Sequence, residues 1–242
     1  VNSPRKLALV TGGSGGIGAA ICRRLAADGH EVVVHANRNA AAAAAVVDEI
    51  RAAGGSARSL CFDVTDAAAA GVALSALIES QPVQILVNNA GIHADAPFAG
   101  MSAEQWHSVV AVALDGFYNV TQPLLLPMIR TRWGRIVTIS SVTALIGNRG
   151  QVNYAAAKGA LHAATKALSL EVASRGITVN AVAPGIIATP MSAEFGPERI
   201  EALVPMKRAG TPEEVAGLVG YLCGEGAGYL TGQIIAVAGG MA

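Results

Sequence analysis

From one end to the other, the chain alternates short runs of β-branched and apolar residues with longer stretches rich in Ala and Leu, which restricts it to folds that separate strands by helices. The short runs are Leu7 to Val10, Glu31 to His35, Ser59 to Phe62, Ile85 to Val87, Ile136 to Ile139, Thr178 to Val182 and Ile234 to Val237. They are mostly apolar without polar alternation, as parallel strands covered on both faces must be. Between them, Ile17 to Asp28, Ala40 to Ala53, Ala67 to Glu79, Ala103 to Arg130, Val152 to Ser174 and Glu213 to Cys223 read as helices. Asp66, Ser102 and the Thr211-Pro212 pair stand where helix starts are wanted, and Gly29, Gly54 and Gly176 where helices end. The expected fold is α/β: a doubly wound parallel sheet of about seven strands with helices on both faces.

No Pro, Gly or Ser-rich linker divides the chain, so residues 1–242 are expected to form a single domain. The Ala40 to Ala45 run continues into Val46, Val47 and Ile50 at helical spacing and reads as helix. The one long irregular segment, 183–210, is rich in Pro, Gly and Met and is expected to be a substrate loop. Formal net charge is +0, which supplies no long-range field for nucleic acid or an anionic membrane. No run of about 18 uncharged apolar residues is flanked as a membrane span would be. Cys22, Cys61 and Cys223 have neither paired nor metal-like spacing, and Val1 to Lys6 does not resemble a secretory leader. The expectations are a cytoplasmic protein with no metal, no nucleic-acid partner and no membrane partner.

Directly after the first strand come Thr11, Gly12, Gly13, Ser14, Gly15, Gly16, Ile17 and Gly18, which open the first helix. Glycines there allow a sharp turn and close approach of the backbone to a pyrophosphate, and the helix N-terminus offers unpaired N–H groups. At the end of the second strand an NAD site wants a carboxylate for the ribose hydroxyls, but the chain reads His35, Ala36, Asn37, Arg38. No acid repels a 2′-phosphate and a guanidinium is available to pair with it, which points to NADPH/NADP+. Arg38 could alternatively be only a solvated residue at a helix start.

Tyr154 and Lys158 lie four residues apart in a helical stretch, on one face. A tyrosine with pKa near 10 is a poor acid–base group at neutrality, and a neighbouring ammonium favours its phenolate. Ser141, after the fifth strand, could hold a carbonyl oxygen against the Tyr154 hydroxyl. With these motifs in place the chain resembles the short-chain dehydrogenase/reductase family, and within it the bacterial β-ketoacyl carrier-protein reductases. The resemblance rests on Thr11 to Gly18, Asn88-Asn89-Ala90-Gly91, Ser140-Ser141, Tyr154 to Lys158 and Pro184-Gly185, and it extends from about residue 5 to the C-terminus. It implies a Rossmann-like fold and roles for particular residues. Asp63 and Val64 would contact adenine, and Asn89, Ala90 and Gly91 would shape the crevice. Lys158 would bind the nicotinamide ribose as well as tune Tyr154, and Ile187 and Thr189 would meet the carboxamide. The stretch Gly147 to Asn153, GNRGQVN, is most similar to the carrier-protein reductases.

One position departs from the pattern. Where the family carries an asparagine that stabilises a helix kink and a water relay to the lysine, this chain has Ala113, followed by Leu114, Asp115 and Gly116. The backbone carbonyl remains, and Asp115 could take over the water network. The resemblance implies NADPH-dependent reduction of a 3-oxoacyl thioester on an acyl carrier protein, as in fatty acid biosynthesis, by a homotetramer. Alternatives are a 3-oxoacyl-CoA or another ketone as substrate, or a catalytically impaired NADP(H)-binding sensor or scaffold. Arg130, Arg132 and Arg175 are candidate cations for docking an acidic carrier, or else charges that complement helix dipoles.

Overall fold

The computed structural model describes residues 5–192 and 195–242; residues 1–4, which begin the Val1 to Lys6 stretch, and 193–194, inside the 183–210 segment, lie outside the described residues. Seven parallel strands, β1 (Leu7–Val10), β2 (Glu31–Ala36), β3 (Ser56–Cys61), β4 (Val83–Asn88), β5 (Gly134–Ile139), β6 (Ile177–Pro184) and β7 (Ile234–Val237), form one sheet in the order β3-β2-β1-β4-β5-β6-β7. All seven sequence-read strands are present. β3 begins earlier than its apolar run because it is the sheet edge, where half-buried Ser56 and Arg58 flank the buried Ala57 and need little burial.

The helices are α1 (Gly16–Ala27), α2 (Ala40–Ala52), α3 (Ala67–Ser80), α4 (Ala103–Val110), α5 (Gly116–Thr131), α6 (Thr143–Ile146), α7 (Val152–Val172), α8 (Pro197–Leu203) and α9 (Pro212–Cys223). Successive β1 side chains point to opposite faces. Ala8 and Val10 enter a core built with α1, α2 and α9, whereas Leu7 and Leu9 enter one built with α3, α5 and α7. Leu9, Ile85 and Leu86 are fully buried, and truncating such a side chain to Ala costs about 2–5 kcal/mol. The central strands are thereby fixed as a rigid platform for the loops at their C-terminal ends. β1 pairs with β2 on one side and β4 on the other, so the chain winds outward in two directions and leaves a crevice above this switch point.

Two sequence expectations change. The 183–210 segment is not uniformly irregular: its first two residues end β6, Pro190–Ser192 form a 3-10 turn, and α8 lies within it. The run Ala103–Thr131 is one continuous helical segment of 29 residues containing an 18-residue stretch of mean hydropathy 1.3, enough by length and composition to cross a bilayer. Here it is a core element, with Val109, Ala113, Val120, Leu124 and Met128 buried. Between α4 and α5 it opens into a π-turn, Ala111–Asp115, in which the Gly116 N–H donates to the Ala111 carbonyl.

Candidate active site

The glycine-rich turn after β1 has a geometry that only its sequence allows. Gly12 has φ +61, and a Cβ on Gly18 would collide with the Gly12 carbonyl, so both positions require glycine. Asn89, after β4, clamps this turn. Its Nδ2 donates to the carbonyls of Thr11 at 2.9 Å and Gly12 at 3.0 Å, while the Thr11 hydroxyl accepts from the N–H groups of Asn89 and Ala90, each at 3.0 Å. At the start of α1, Gly15 caps the helix without any side-chain bond, and the first turn has no acidic residue. Ser14, Gly15, Gly16 and Ile17 retain solvent access there, with Gly18 buried behind them. This is an anion cradle, and it fits a dinucleotide pyrophosphate.

At the end of β2, Asn37 and Arg38 are exposed. The cap of α2 is Asn39, whose side chain accepts from Ala42 N at 3.0 Å. Arg38 therefore stands outside the helix, and it makes no ion pair among the described residues. Asp63 faces the same corner. Its carboxyl accepts from Thr65 N at 2.9 Å and Thr65 Oγ1 at 2.7 Å. Those bonds, together with the Arg38 charge and the Asn37 side chain, hold it below the usual carboxylate range. The Val64 side chain turns into the core, so only its backbone can meet a ligand.

On the other side of the crevice, Ser141 follows β5. It accepts from Thr143 N at 3.1 Å, and its hydroxyl is close enough to the Tyr154 phenol to favour the phenolate. Lys158 is 4% exposed, and its Nζ donates to the Ile139 carbonyl at 2.7 Å, 5.7 Å from the centre of the Tyr154 ring. A Cβ on Gly91 would lie 3.3 Å from the same Nζ, which places the β4 loop against the lysine. The expectation that Lys158 draws the phenol pKa down is corrected. Burial pushes Tyr154 up against the opposing influence of the Ser141 hydroxyl, with the Asp95 charge adding to the rise, and burial brings Lys158 down to about 8. Pro184 closes β6, its carbonyl accepting from Val142 N at 2.8 Å, and Gly185 packs on Ala238. Ile187 is buried, and Thr189 lies over the phosphate loop, its Cγ2 3.4 Å from where a Gly16 Cβ would be. Ser141, Tyr154, Lys158, the glycine turn, Asn89 to Gly91 and the β6 loop thus border one crevice.

Ala113 sits in the π-turn and lines a cavity of about 10 Å³ together with Lys158, Asn88 and Thr138. The Thr138 hydroxyl is buried with no hydrogen-bond partner. Asp115 is exposed and takes no part in the lining, so it does not substitute for the missing amide. Sequence reasoning also missed Asp95, which accepts from Gln151 Nε2 at 2.8 Å, and His93, which contacts Asp95 at 3.2 Å. The only signal for Gln151 was its place in the GNRGQVN stretch, and isolated loop residues such as His93 and Asp95 give none. Arg130, Arg132 and Arg175 are exposed just before β5 and β6, at the N-terminal ends of the strands, opposite the crevice. Within one chain they do not ring its mouth.

The described residues contain no cluster suited to a metal ion. The family model for short chain dehydrogenases matches residues 6–200. The chain is 48% identical to a 3-oxoacyl-[acyl-carrier-protein] reductase of Aggregatibacter actinomycetemcomitans over 96% of this chain and 98% of that one. It is 39% identical to an acetoacetyl-CoA reductase of Cupriavidus necator over 98% of each. A crystal structure of 3-oxoacyl (acyl-carrier-protein) reductase from Agrobacterium tumefaciens C58 with NADP bound superposes with a TM-score of 0.93 at 33% identity, covering 97% of this chain and 93% of that one. A tyrosine and lysine set beside a glycine-rich nucleotide turn on a doubly wound sheet, with family agreement along most of its length, establish that the chain belongs to the short chain dehydrogenase family.

Proposed function

We propose that the chain reduces 3-oxoacyl thioesters to 3-hydroxyacyl thioesters with NADPH, the acyl group being carried on an acyl carrier protein. The observation that carries this reading is Lys158, buried and held by the Ile139 carbonyl 5.7 Å from the Tyr154 ring, with Ser141 beside that phenol at the edge of the anion cradle. Ser14 to Gly18 would hold the pyrophosphate, Asn37 and Arg38 the 2′-phosphate, and Asp63 with the Val64 backbone the adenine. Lys158, Pro184, Gly185, Ile187 and Thr189 would border the nicotinamide end. When bound, NADPH supplies hydride to the carbonyl carbon. The Ser141 and Tyr154 hydroxyls hold the carbonyl oxygen, and Tyr154 gives it a proton as negative charge builds there. A phenol pushed up by burial stays protonated at neutral pH, which suits reduction. Lys158, near its own midpoint at pH about 8, can resupply that proton.

We further read residues 1–242 as a single domain with its substrate loop at about 183–210. An exposed, unpaired Cys61 supports the cytoplasmic reading. A homotetramer is supported by apolar side chains left exposed on the long helices, Tyr118 and Leu126 on α5 and Leu170 on α7. In an antiparallel helix pair the C-terminal end of one α5, with Arg130 and Arg132, lies beside the start of its partner's α4, so these cations would serve a neighbour's site. The acetoacetyl-CoA reductase relative supports a CoA thioester as the alternative substrate.

The test is NADPH oxidation by purified protein with matched 3-oxoacyl thioesters on carrier protein and on CoA. Turnover with a higher kcat/KM on the carrier is expected, and no oxidation with either series would overturn the reading. Arg38→Ala should weaken NADPH by about ten-fold or more and leave NADH unchanged, on the scale of one charge-assisted contact. Equal affinities of the unmodified protein for both dinucleotides would remove the cofactor assignment.

A further inference from the structure

His35 is the penultimate residue of β2, in an otherwise apolar strand, and only 2% exposed. Both of its ring nitrogens have partners. Nδ1 is 3.1 Å from the N–H of Gly12, and Nε2 is 2.9 Å from the carbonyl of Phe62. A backbone N–H can only donate and a carbonyl can only accept, so the contacts fix the tautomer: Nδ1 accepts and Nε2 carries the hydrogen. A charged imidazolium would set an Nδ1 hydrogen against the Gly12 N–H. Burial favours the neutral ring and outweighs the pull of Asp63. Asp63 is the charged group that faces the ring, since β1, the glycine turn and the first turn of α1 contribute none. The ring also packs on Phe62, with centroids 4.3 Å apart at 57°.

The His35 backbone acts at the same place, its carbonyl accepting from Gly13 N at 2.8 Å. One residue therefore holds two successive amides of the glycine turn. The far end of its ring is anchored to Phe62, next to Asp63, in the turn between β3 and α3. Asn89 grips the same turn from the opposite side through the Thr11 and Gly12 carbonyls. Gly12 has φ +61, a conformation glycine adopts freely and leaves freely, so its amide plane depends on these two braces.

We propose that His35 is a positioning residue of the dinucleotide site, whose neutral ring ties the phosphate-binding turn to the adenine-side turn and so sets dinucleotide affinity without taking part in the chemistry. The proposal rests on the dinucleotide reading given above. His35→Leu removes both ring bonds at similar volume. It should raise the NADPH dissociation constant and KM by about ten-fold, the scale of one buried hydrogen bond, with kcat at saturating NADPH within about two-fold of the parent. His35→Gln, with one acceptor and one donor at about the same separation as the ring nitrogens, should recover most of the affinity. In the unmodified protein, 15N NMR of the histidine ring should show the Nε2–H tautomer at neutral pH, an arm independent of whether any variant folds. A ring with hydrogen on Nδ1, or a folded His35→Leu that binds NADPH as tightly as the parent, overturns the proposal. An unmodified protein that binds neither NADPH nor NADH overturns the dinucleotide reading together with it.

Discussion

Tyr154 and Lys158 share one face of α7, and burial acts on them in opposite directions, holding the phenol protonated and easing the ammonium toward neutrality. Tyr154→Phe removes only the donated proton, so turnover should fall by about 10²–10⁴-fold while NADPH binding persists; an unchanged rate would remove Tyr154 from the chemistry. Lys158 also bears on stability. Unfolded, it titrates near 10.5, and in the fold near about 8. Between those values the unfolded chain holds the extra proton, so stability climbs as pH rises through this window and is lowest at neutrality and below. Lys158→Met should therefore abolish turnover yet raise stability at pH about 7 by up to about 3 kcal/mol, less the lost partner of the Ile139 carbonyl. Denaturant titrations at pH about 7 and about 10 check this, and a parent no more stable at the higher pH would refute the burial argument. The four-residue spacing was legible in the sequence, because helical period is a local property. The tuning was not, since it depends on how much water each group loses and on a carbonyl from another strand. His35 was legible only as a neighbour of Arg38, because its partners lie 23 and 27 positions away.

The capped elements, such as α4 with its Ser102–Gln105 box and α9 with its Thr211–Glu214 box, begin where their sequences indicate. α6 and α8 escaped notice because a turn or two of helix carries too little periodicity to stand out. The π-turn at Ala111–Asp115 escaped for another reason. It changes which carbonyl an N–H reaches, not which residues are apolar, so the stretch reads as one uninterrupted helix. With Ala113 where the resemblance leads one to expect an asparagine, backbone hydrogen bonds and the packing around Ala113 hold the turn. The deficit is local, a small cavity beside Lys158 and a Thr138 hydroxyl without a partner. Ala113→Asn should place an amide there and raise turnover by up to about ten-fold, the scale of one hydrogen bond, with little change in the NADPH dissociation constant. Adding Thr138→Val should cancel much of the gain. Single-turnover and steady-state rates on one thioester decide it, and an active parent unimproved by Ala113→Asn would show that the relay is not impaired.

Across the whole molecule, the nature of the sheet was legible because seven apolar runs alternated with helices, whereas the outline of the substrate loop depended on packing that no local pattern records. The phosphate turn is finished by a residue far along the chain: Asn89 is 78 positions from Thr11, and β1 receives its second neighbour only when β4 arrives. Such pairing requires closing a long loop, and parallel sheets that depend on it fold slowly. The nucleotide site is therefore expected to come into being late, after the event that limits folding. NADPH should leave the refolding rate unchanged and slow unfolding, adding about 2.7 kcal/mol at a hundred times its dissociation constant. Stopped-flow refolding and unfolding with and without NADPH measure both, and faster refolding with NADPH would mean the clamp closes early. A chain still emerging from the ribosome, and not yet past β4, has no finished cradle to offer, so the cell's dinucleotide pool can protect the completed protein but cannot guide its birth.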